Sequence, residues 1–224
     1  MSFLAKGDIE DYIDRGELIK LPHDGGDHES VDKNNINQSS YDLCLGKEIY
    51  MVGNAAPQIL TKDMPYATLI PGQFAILTTH EIVSLPNELL AFISLKSTYK
   101  FQGLVNISGF HVDPTFEGKL RFGVQNVGPS DIRLKCGEPT FTIFFSTLSS
   151  DRTGKSRKDN GNTHFRPSKN GIRLQDVQLL GGGSLTLASL HNEVERLSTL
   201  VKIYGGLAIA ALVALIVDLL QRMH

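Results

Sequence analysis

The 224-residue chain has no tryptophan, only two cysteines and no excess of either charge, with 22 Lys and Arg against 24 Asp and Glu. Two distant thiols, Cys44 and Cys136, are too few for a disulfide scaffold or a structural zinc site and suit a reducing compartment. A net charge of −2 excludes a basic coat built to grip duplex DNA, though not a local cationic patch. The opening MSFLAKGDIEDYID lacks a basic stretch followed by an apolar one, so no cleaved export signal is expected. Missing too are His-x-Glu with Pro-Cys-x-x-Cys, the phosphate-binding Gly-x-x-x-x-Gly-Lys-Ser/Thr and Gly-x-Ser-x-Gly, which removes zinc nucleobase deaminases, P-loop enzymes and α/β-hydrolases. With 41% apolar and 21% charged residues, wholesale disorder and fibrous classes are also excluded.

Three segments differ in composition. Residues 1–148 alternate short apolar runs with Gly and Pro, residues 149–183 are polar and basic and end in Gly181-Gly182-Gly183, and residues 184–224 contain no proline. GDIEDYIDRGELI is read as a helix capped by Asp8 and ended by Gly16, with Ile9, Tyr12 and Ile13 on one face. The runs YDLCLG, KEIYMV, GQFAILTT, LLAFISLKS, LVNISGFHV, KLRFGVQNV, DIRLKCG and TFTIFFSTL are read as short strands. Their near-regular spacing predicts a mainly β fold, a barrel or distorted jelly roll.

The last segment is read as one helix. Ile203 to Val217 is uncharged, and flanking apolar residues lengthen the run to around twenty, near the length of a membrane span. A buried oligomerisation helix is the other reading. Leu187, Leu190, Val194, Leu197, Val201, Tyr204, Ala208, Ala211, Leu215 and Asp218 alternate spacings of three and four, a heptad seam. Gly206, Ala210 and Ala214 add a row of small residues suited to close helix approach. Lys202 is placed to reach a headgroup layer, with Gly206, Ala208, Ala211 and Asp218 as candidate bundle or pore residues.

The blocks LAKGDIEDYIDRGELIKLP, SSYDLCLG, PGQFAILTTHEIVSLPNELLAFI, LKSTYKFQG, HVDPTFEGKLRFGVQNVGP and KCGEPTFTIFF occur in the order found in the dCTP deaminase/dUTPase family, which residues 1–148 resemble. The resemblance implies a distorted jelly roll of the dUTPase type, assembled as a trimer, with sites between subunits that take a deoxynucleoside triphosphate with Mg2+. It aligns the family's arginine-serine-serine phosphate motif with Lys96-Ser97-Thr98, its water-activating aspartate with Asp113 and its deoxyribose-packing aromatic with Phe116. Asp42 falls on the aspartate associated with metal. Lys100, His111, Arg121 and Gln125, with Arg166 and Lys169 of the basic arm, complete the candidate nucleotide- and phosphate-binding set.

Three departures weigh against deamination. Gly123 stands where the deaminase branch carries its proton-moving glutamate, Phe101 replaces a second arginine and Thr142 a glutamine. Glycine has no group for general acid–base work. The main expectation is therefore a membrane-anchored sensor of nucleotides or short single-stranded oligonucleotides, in which a catalytically degenerate head controls an oligomeric helix bundle acting as a pore, as in antiviral defence. The head would face the cytoplasm at the inner membrane. The alternative is a membrane-tethered hydrolase using Asp113 and Asp42, or a deaminase. The basic arm is read either as a lid over phosphates or as a solvated linker beside anionic lipid.

Overall fold

A computed structural model describes residues 2–22, 30–149, 172 and 187–223. The chain divides into two compact units, Met1–Ser184 and Leu185–His224. The first opens with helix α1 (Lys6–Asp14), which buries Ile9 and Ile13. Ala5 is its N-cap, and Asp8 sits three residues in, where its carboxylate accepts the Ala5 N–H at 3.0 Å. Asp8 thus holds the helix start from within rather than capping it, a stabilising place for an acid. Gly16 follows at φ +74, a conformation that glycine adopts without strain and that lets the chain leave the helix.

Thirteen described strands follow: β1 (Leu18–Lys20), β2 (Tyr41–Met51), β3 (Gln58–Ile59), β4 (Tyr66–Leu69), β5 (Phe74–Thr79), β6 (Ile82–Ser84), β7 (Leu89–Leu95), β8 (Leu104–Asn106), β9 (His111–Val112), β10 (Glu117–Gly118), β11 (Arg121–Asn126), β12 (Ile132–Lys135) and β13 (Pro139–Thr147). Helix α2 (Ser97–Phe101) lies between β7 and β8. The main sheet has the order β8-β11-β5-β2-β13-β7-β9, with β3 beside β2. Smaller sheets β1-β6-β10 and β12-β4 complete a mainly β half-barrel. Among the described residues all of the strand pairs are antiparallel.

Period-two burial explains most strands: β7 and β11 alternate buried and half-buried residues without a break. Two segments depart from the expected division. YDLCLG and KEIYMV form one strand, β2, because a register shift between Leu45 and Ile49 bends it without ending it. LVNISGFHV is instead divided into β8 and β9, as its chain crosses from the β11 edge to the β7 edge. The core is led by Tyr41, Phe122, Phe141 and Phe145, each 2% exposed or less, with the rings of Phe122 and Phe141 stacked at 3.9 Å. Helix α3 (Leu187–Met223) forms the second unit. Its stretch Glu193–Ala214 is long and apolar enough to cross a membrane by length and composition, and its side chains are exposed.

Candidate functional site

Strand register lines up one part of the candidate site. Asp42 on β2 is the direct partner of Thr142 on β13, and Thr142 is the direct partner of Ser94 on β7. Direct partners share a face, so these three polar side chains form a row across three strands. Lys96, one residue past β7, forms an ion pair with Asp42 Oδ2. Thr142 Oγ1 donates to Asp42 Oδ1 at 2.8 Å, and the Lys100 ammonium donates to Ser94 Oγ. Ser97 and Thr98 open α2 and are exposed. Two cations and two hydroxyls therefore gather at this end of β7, which suits a polyanion.

The remaining candidates lie on other elements. His111 and Asp113 are exposed, with Nε2 of one 3.7 Å from Oδ1 of the other. Asp113 leads into a turn in which Thr115 has φ +65, a strained conformation for a β-branched residue. Phe116 is half-buried and packs against the core. Arg121, Gly123 and Gln125 share the half-exposed face of β11, with the Gln125 amide donating to the Gly72 carbonyl at 3.3 Å. A Cβ on Gly123 would stand 3.2 Å from Phe74 Cζ and 3.6 Å from Ile107 Cγ1. The space beside Gly123 is thus lined by apolar carbon where a proton-transferring carboxylate would be needed.

Lys96 and Asp113 do not meet within one chain. Val112 pairs with Ala91, so Asp113 continues toward Leu90, six residues from Lys96 along the β7 direction. At about 3.3 Å per residue that is roughly 20 Å. Lys96 and Asp113 of the same chain therefore cannot grip one α-phosphorus together. Phe101, in place of the second arginine, is 91% exposed. Arg166 and Lys169 lie outside the described residues, as does the side chain of Asp218, while Lys202, Gly206, Ala208 and Ala211 are exposed on α3.

The expected metal role of Asp42 does not fit its surroundings. Both carboxylate oxygens are engaged, one by an ammonium and one by a hydroxyl, whereas Mg2+ asks for free oxygens in near-octahedral order. Among the described residues no three His, Cys, Asp or Glu side chains gather as a metal-binding group.

One buried acid escaped the sequence reading. Glu81, between β5 and β6, is 2% exposed, and both of its oxygens accept the Cys44 N–H, at 3.1 and 2.9 Å. Burial pushes its carboxyl up to about 7, opposed by its backbone donors and by Lys119. Burial, with Glu81 nearby, also pushes the Cys44 thiol up to about 12. In TTHEIVSLP a lone glutamate between apolar runs reads as a turn residue, and no local signal marks it as enclosed.

A family model described as dCTP deaminase-like matches residues 3–148. A dUMP-forming dCTP deaminase from Methanosphaera stadtmanae is 25% identical over 168 residues, covering 67% of this chain and 81% of its own length. A probable deoxyuridine 5'-triphosphate nucleotidohydrolase of Sulfolobus islandicus rod-shaped virus 1 is 30% identical over 166 residues, or 71% of this chain and 96% of that one. Among solved structures, the 2'-deoxycytidine 5'-triphosphate deaminase of Agrobacterium tumefaciens matches with a TM-score of 0.52 at 19% identity. That match covers 65% of this chain and about half, 48%, of the other. Fold, ordered motifs and relatives agree: the chain belongs to the dCTP deaminase-like family.

Proposed function

We propose that the head hydrolyses a pyrimidine deoxynucleoside triphosphate at composite sites formed between copies of the chain. The observation that carries this reading is the separation of Lys96 from Asp113 by roughly 20 Å along β7, which calls for one half-site from each of two subunits. A trimer, the assembly implied by the resemblance, supplies three such pairings. Lys96, Ser97, Thr98 and Lys100 of one subunit hold the phosphates. His111, Asp113, Phe116 and the Gly123 face of a neighbour receive the nucleoside. Asp113 takes a proton from water as the oxygen attacks the α-phosphorus; the bond to the bridging oxygen breaks, and diphosphate leaves with its electron pair. The family's named relatives are enzymes, which favours turnover over sensing alone, and Gly123 disfavours deamination. Helix α3 tethers the head to a membrane, with the head on the cytoplasmic side of the inner membrane.

Mixed oligomers test this directly. Asp113→Asn and Lys96→Met chains, each inactive alone, should regain diphosphate release when co-expressed, because some mixed sites combine the two intact halves. Wild-type protein that binds dUTP and dCTP but releases no diphosphate would refute hydrolysis. It would favour the second reading, a nucleotide sensor coupled through α3 to a membrane bundle, which draws on Gly123 and the exposed apolar length of α3.

A further inference from the structure

We infer that Asp42 is a positioning residue that fixes the Lys96 ammonium, and that it is not a metal ligand. The inference rests on the phosphate-binding reading above. Asp42 is only 7% exposed, so its charge needs a partner, and Lys96 supplies one. The carboxylate is itself oriented by Thr142, directly opposite across the β2–β13 pair. Lys96 is fixed at its base as well, where its backbone N–H donates to the Thr140 carbonyl at 3.0 Å. Thr142, Asp42 and Lys96 thus form a hydrogen-bonded series from β13 through β2 to the start of α2.

A lysine head is a point charge on a flexible stem, without the planar fork that lets arginine orient a phosphate. Where the family motif begins with arginine and this chain has Lys96, something else must fix the cation in place. Asp42 can do so through one ammonium hydrogen and leave others for phosphate oxygens, since the Lys96 side chain remains 32% exposed. A magnesium ion on Asp42 would have to displace that ammonium or lie against it, like charge on like.

The test uses the full-length protein in detergent with inorganic tripolyphosphate as probe, in EDTA and in Mg2+. Lys96→Met should weaken binding in EDTA by about tenfold or more, the scale of a charge-assisted hydrogen bond. Asp42→Asn should weaken it severalfold in the wild-type background yet add little to Lys96→Met. The ratio of affinities with and without Mg2+ should be the same for Asp42→Asn as for wild type. Thr142→Val should share part of the loss and Thr142→Ser restore it. In the absence of any ligand, trace acetylation read by mass spectrometry should show Lys96 severalfold more reactive in Asp42→Asn than in wild type. Additive losses, an Asp42→Asn variant that loses its response to Mg2+, tighter binding by that variant, or unchanged Lys96 reactivity would each overturn the assignment. If wild type fails to bind tripolyphosphate, the phosphate-binding reading falls and this inference with it. Normal wild-type binding with additive losses refutes only the role of Asp42.

Discussion

Glu81 makes the stability of the head depend on pH in an unusual direction. Most native carboxylates are stabilised in their charged form, so proteins gain stability as pH rises through the acid range. Here burial lifts the carboxyl from 4.5 to about 7, so the folded state holds a proton that the unfolded chain has released. The stabilisation is complete below the unfolded value and is lost as pH climbs through the folded one. Integrating between those two values gives a loss of roughly 2.5 kcal/mol between pH 5 and pH 8. The surroundings keep that sign: Tyr41 and Cys44 lie close to Glu81, each with its own proton held more tightly there, and the backbone donors, the Cys44 side chain and Lys119, which pull the acid the other way, do not cancel the effect of burial. Near-ultraviolet dichroism of the full-length protein is a suitable probe, since five of its six tyrosines lie in the head and no tryptophan interferes. For a head of this size the loss corresponds to a fall of roughly 5–10 °C in melting temperature. Glu81→Gln cannot accept the Cys44 N–H through both terminal atoms, so it should be destabilised at pH 5. That penalty should shrink toward pH 8, where the wild type has to keep a buried charge. A penalty of equal size at both pH values would refute the reasoning.

Asn126, fully buried, donates to the Leu69 and Ser130 carbonyls and accepts from the Gly128 N–H; Asn126→Ala should cost about 3 kcal/mol by leaving these groups unsatisfied, as read from urea unfolding. Cys136 should react with a thiol reagent well before Cys44, whose deeper burial and raised pKa suppress its thiolate; equal rates would count against that enclosure. If α3 crosses a bilayer, the full-length protein should resist alkaline carbonate extraction from membranes. Ala211→Arg, which adds a charge worth about 3 kcal/mol against insertion at a helix centre, should then release a measurable fraction.

Much of the fold can be read from local pattern, because period-two alternation and turn residues act over a few positions. Ile9, Ile13 and Gly16 disclose α1, and the uncharged length from Ile203 discloses the last helix. Helix α2 is harder to see: five residues, STYKF, offer little more than one turn of periodicity. The division of LVNISGFHV between two sheet edges depends on strands distant in sequence. The same limit applies to the site. The motif blocks locate Lys96, Asp113 and Asp42, but their grouping is a matter of register. That Thr142 faces Asp42 across a gap of 100 positions, and that Lys96 and Asp113 stand at opposite ends of β7, follow only from how the strands pair.

The first residues of the head are joined to its last strand. Ser2 donates its N–H to Thr147 Oγ1 at 3.1 Å and accepts the Thr147 N–H at 2.9 Å, while Leu4 donates to the Phe145 carbonyl at 2.9 Å. The beginning and end of the barrel segment are therefore neighbours, and a few linking residues would close it into a ring. A circularly permuted head with new ends in the exposed 53–56 loop should keep every strand pair. A reporter fused ahead of Ser2 would emerge beside the end of β13.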